Sequence, residues 1–155
     1  MKILKVTIPC FILIAVLLFW VGLSDVESAN LWPNNRGELC WKNLVTGAIV
    51  KLAVTRTVGK HYLVHGTITN NPGDIDEYIQ CLNGNAEIIN GQVIMHFSTS
   101  GFDAAEVYVS SGRAEFDLAT LWGVAEGIFT SYDKSSNTFS ATFDAPHELE
   151  LITCQ

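Results

Sequence analysis

Basic side chains are scarce in this chain: nine Lys and Arg stand against sixteen Asp and Glu, a net charge of −7. A phosphate-binding surface needs a basic face, so the balance argues against nucleic acid and anionic membrane surfaces as partners. The densest group of cations, Lys42, Lys51, Arg56 and Lys60, is spread along candidate strands as solvated positions. Catalytic signatures are missing too. There is no Gly-rich phosphate loop, no Cys-x-x-Cys pair and no Gly-x-Ser-x-Gly elbow. No cofactor and no catalytic residue is therefore predicted. The absence of Pro-, Ser- or Gln-rich linkers and of fixed-period repeats argues against two linked domains, a solenoid or a propeller.

The charge-free apolar run Thr7 to Leu23 follows the basic head Met1-Lys2-Ile3-Leu4-Lys5 and ends before a polar boundary at Ser24. This pattern predicts a signal peptide over 1–29, cut near Ser28 or Ala29, and a single domain over 30–155 that is secreted or periplasmic and free of the membrane after cleavage. The alternative is an uncleaved N-terminal anchor, since the run approaches the roughly 18 to 20 residues that span a bilayer. Pro9 and the polar boundary weigh against it. Cleavage removes Lys2, Lys5, Asp25 and Glu27, so the domain keeps the same acidic balance.

What remains is organised by alternation. From Ala48 to Asn70, Val50, Leu52 and Val54 recur at every second position, then Tyr62, Val64, Gly66 and Ile68 do so after a break at Val58-Gly59-Lys60. This is a β-hairpin. Asn70 to Asp74 is a turn, Ile75 to Leu82 reads as a helical turn or loop entering a strand, and Asn83-Gly84, Asn90-Gly91, Ser100-Gly101 and Ser110-Ser111-Gly112 are further turn signals. Thr138 to Phe143 is expected to place Phe139, Ala141 and Phe143 inward, with a last corner at Ala145-Pro146.

These elements predict an all-β fold: a single antiparallel meander of about eight strands, closed into a small barrel or, alternatively, folded as a two-sheet sandwich. In an up-and-down barrel the first and last strands are neighbours, which brings Cys40 beside Cys154 and predicts a disulfide between them, leaving Cys81 over. A bridge from Cys81 to either of the others is the competing arrangement. A leader followed by a small closed meander is similar to the plan of lipocalins and avidins. The likeness is architectural, because the motif residues of those families are absent.

A barrel of this size either fills its interior or holds one small ligand. The candidate ligand-binding residues are the inward aromatics Trp41, Tyr62, Phe97, Phe116, Phe139 and Phe143, with Gly123 and Glu126 on the strand Trp122 to Ile128. If that strand turns its large residues inward, Glu126 is a buried carboxylate and an acid–base candidate, the one route to an enzyme reading. If its small residues point inward, they leave space for a ligand. His61 and His65, roughly 13 Å apart on one strand face, are too distant to share a metal, and no metal is predicted. The leading expectation is a binding protein for a small apolar or amphipathic ligand. The alternative is a filled-core module acting on a protein partner through an outer face, with Leu63, Ile94 and Leu121 as its apolar patch.

Overall fold

The computed structural model describes residues 31–155, so the expected leader and its expected cleavage site lie outside the described residues. Eight antiparallel strands follow one another: β1 (Arg36–Asn43), β2 (Ile49–Arg56), β3 (His61–Asn70), β4 (Tyr78–Ile89), β5 (Gln92–Phe102), β6 (Glu106–Asp117), β7 (Gly123–Asp133) and β8 (Thr138–Ile152). Each pairs with the next, and β1 pairs with β8, so the hydrogen bonds run round a single closed sheet. Alternation sets the faces: Val50, Leu52, Val54, Tyr62 and Val64 are buried, whereas His61, Leu63 and His65 are exposed. Cys40 is bridged to Cys154 across the seam, Cα atoms 5.2 Å apart, and Cys81 is free and exposed.

The two ends differ. At the narrow end the connections 57–60, 90–91 and 118–122 gather round a packed core. Trp32 stands edge-on to Tyr62 at 5.7 Å, Trp41 lies against Phe116 at 4.9 Å, and Leu52, Val54, Val93 and Leu121 fill the space between. Leu121 has φ 53°, and its carbonyl accepts a hydrogen bond from Trp41 Nε1 at 2.8 Å. Leu121 is therefore core and not part of an outer patch. Backbone bonds tie the loops together: Ile88 N donates to Lys60 O and Leu118 N to Gly91 O.

Several expected turns are strand instead. Asn83-Gly84 lies inside β4 and Ser110-Ser111-Gly112 inside β6, while Gly101 lies near the end of β5. The glycines mark close approach of backbones. Gly84 faces Phe97, Phe97 faces Gly112, and Gly112 faces Gly127 in one row across four strands. A Cβ on Gly112 would collide with the Glu126 carbonyl oxygen and reach 2.8 Å from the Phe97 ring. Gly112→Ala is accordingly expected to cost about 1–3 kcal/mol, read as a lower urea midpoint.

β8 departs furthest from the expected pattern. Gly127 faces Asp144 but Ala125 faces His147, so three steps along β8 match two along β7. This bulge contains Pro146, which has no N–H to give a ladder. It also inverts the strand: Leu149 beyond it is buried, while Phe139 and Phe143 before it are 78% and 64% exposed, on the outside of the barrel. The expected corner at Ala145-Pro146 is this bulge.

Candidate ligand cavity

At the wide end, framed by the connections 44–48, 71–77, 103–105 and 134–137, the interior holds a cavity of about 430 Å³. That volume lies within the range of small-molecule sites, roughly 300–1,000 Å³. Its deep wall is apolar, with Val50, Leu82, Met95, Ala114 and Leu149. Small side chains make the room: Ala114 and Ala125 face each other across β6 and β7, next to the Gly112 and Gly127 pair. The small-residue face of β7 is thus the inward one, and Glu126 is exposed, at the bulge on the cavity's rim.

Polar groups are set into this wall at fixed points. Thr99 Oγ1 donates to Gln80 Oε1 at 2.8 Å and lies 2.6 Å from Ser110 Oγ, and both Gln80 and Thr99 are buried. Asn70 Nδ2 is buried on the cavity's edge with no hydrogen-bond partner among the described residues. A buried donor left unpaired costs about 1–3 kcal/mol, so it favours any ligand that offers an acceptor. Tyr78, Tyr108 and Phe129 form an aromatic shelf, with successive ring centroids 5.0 and 5.5 Å apart. Burial raises the Tyr78 hydroxyl above its usual pKa. Burial, helped by its hydrogen bond to Asp103, raises Tyr108 further, and that same bond holds the Asp103 carboxyl below the usual range. The shelf therefore stays neutral.

At the mouth, His147 joins the two sides of the opening. Its Nδ1 is 2.7 Å from Asn43 Nδ2 on β1, and its Nε2 is 2.9 Å from Asp144 Oδ1 on its own strand. Among the described residues no Lys or Arg lines the cavity; the ionisable side chains there are Tyr78, Glu126, Asp144 and His147.

The structure separates the expected ligand residues into three groups. Phe97 and Glu126 line the cavity. Trp41, Tyr62 and Phe116 are packed in the narrow-end core, and Gly123 is buried, with the Phe116 ring where a side chain would go. Phe139 and Phe143 lie outside the barrel. Sequence reasoning passed over Asn70, Tyr78, Gln80, Ser110, Phe129 and His147. Tyr78, Gln80 and Leu82 do alternate in the sequence, but the same stretch also has helical spacing, which hid the inward parity of Gln80. No protein-family model matches the chain, and no curated protein matches it in sequence.

Proposed function

We propose that this chain is an exported β-barrel binding protein that holds one small amphipathic molecule in the wide-end cavity. The observation that carries the reading is an interior filled at one end and hollow at the other, with an apolar depth, an aromatic shelf and an unpaired donor at Asn70. The acidic rim, with no Lys or Arg among the described lining residues, favours a neutral or cationic ligand over a fatty-acid-like anion. Export rests on the leader pattern and is supported by the disulfide, which persists in oxidising compartments.

The test uses N-phenyl-1-naphthylamine, a neutral apolar fluorophore, and an anionic naphthalene sulfonate for contrast. The neutral probe is expected to brighten on binding, the anionic one much less. Ala114→Phe should abolish the neutral probe's signal, because the ring occupies the cavity, at a stability cost of no more than about 1–3 kcal/mol. Undiminished binding by a folded A114F protein would refute the assignment.

The module reading, contact with a protein partner through an outer face, draws on a different observation: the exposed aromatics of β8.

A further inference from the structure

The ring of strands is closed along only part of its height. β1 meets β8 from Cys40 opposite Ile152 to Asn43 opposite Leu149, and Leu44 N adds one bond to Glu148 O. Beyond that point β8 continues for ten residues, Thr138 to His147, paired with β7 on one side and with no described strand on the other. Every residue from Thr138 to Pro146 is exposed. Such an edge presents a row of free backbone donors and acceptors, and proteins ordinarily protect it with lysine, proline, a bulge or a short strand. Here Pro146 and the bulge come only after Asp144. The six residues Thr138-Phe139-Ser140-Ala141-Thr142-Phe143 carry no charge and no proline.

The five residues Phe139 to Phe143 are nearly palindromic about Ala141. We propose that β8 is a homodimerisation edge, pairing antiparallel with β8 of a second copy about a two-fold axis at Ala141. In that register Phe139 meets the partner's Phe143, Ser140 meets the partner's Thr142, and Ala141 meets itself. Asp144, the first charge reached, faces the partner's Thr138 instead of another carboxylate. A two-fold interface must be complementary to itself, and this strand is. Aromatic pairs directly across an antiparallel ladder are among the favourable cross-strand contacts. The outer surface continues the match: Phe139 already stacks on Tyr132 at 4.7 Å, and Phe143 is beside Ile128. Pairing therefore joins the two apolar rows, Tyr132 with Phe139 and Phe143 with Ile128, across the axis. The edge would pair in this way whether or not the cavity holds a ligand.

Sedimentation velocity on protein expressed from the full sequence, through a dilution series, provides the test. The unaltered protein is expected to sediment as a dimer that dissociates on dilution. Phe139→Lys and Phe143→Glu, each alone, are expected to give monomer with an unchanged circular dichroism spectrum. The double variant F139K/F143E should recover the dimer, because each introduced lysine then faces an introduced glutamate across the axis. That recovery also separates loss of pairing from loss of folding. A monomer at every concentration for the unaltered chain overturns the proposal, and so does a dimer that survives both single substitutions.

Discussion

Replacing Cys40 and Cys154 together by alanine is expected to destabilise the domain by about 4–5 kcal/mol. The two residues are 114 apart in sequence, and cross-linking so long a stretch removes much of the unfolded chain's freedom. Where the bridge sits adds to this. The seam it crosses has four residue pairs, compared with ten between β4 and β5, so little else holds the first strand to the last. The measurement is urea unfolding of the double variant, with the reduced parent as control. Because the parent's unfolded state is cross-linked and more compact, the variant should show a steeper denaturant dependence as well as a lower midpoint. A loss below about 1 kcal/mol would mean that the seam closes without the bridge.

Trp41→Ala is the second large effect, with an expected cost of about 3–5 kcal/mol. The indole is wholly buried, packs on Phe116 and donates to the carbonyl of Leu121, a residue in the left-handed region that is disfavoured for a side chain of its size. The alanine variant loses the ring and leaves that carbonyl without its partner. Trp41→Phe keeps most of the packing and should lose about 1–3 kcal/mol, the cost of the orphaned acceptor. The comparison thus divides packing from hydrogen bonding at one position, read from urea midpoints of the two proteins. Trp41 and Cys40 are neighbours on the same seam strand, so their effects are not expected to add. Probe binding in the cavity should survive Trp41→Phe, since the indole belongs to the filled end.

Alternation of side chains was enough to read β2 and β3, and the turn signals after them to read the antiparallel meander. The pairing of Cys40 with Cys154 was the leading expectation, ahead of a bridge to Cys81, because a ring puts its first and last strands together. What misled the reading was glycine. Asn83-Gly84 and Ser111-Gly112 have the composition of turns, yet both lie mid-strand, where the missing Cβ lets a neighbouring carbonyl come close. A local code cannot tell these uses apart, since the deciding atoms belong to His96 and Glu126 on other strands. The bulge at Ala145-Pro146 was illegible for a similar reason. One extra residue reverses which face is inside, so aromatic Phe139 and Phe143, inward by composition, ended outside, and polar Thr142 took the cavity side. The small face of β7 was legible as one of two orientations that would leave space for a ligand, but its meeting with Ala114 and Gly112 of β6 is a coincidence of register that β7 alone does not display.

The short seam also fixes an order of events during synthesis. Of the eight strands β1 is made first and its second neighbour, β8, last, so the ring cannot close until β8 has been made. Until then the growing domain is a curled ribbon with two open borders, and its most distant contacts are the last to be satisfied. Trp41 lies on one of those borders, its indole uncovered on the β8 side while the rest of the ribbon assembles. Exporting the chain as an extended polymer would postpone this exposed stage to a compartment where oxidation of Cys40 and Cys154 locks the ring as it closes.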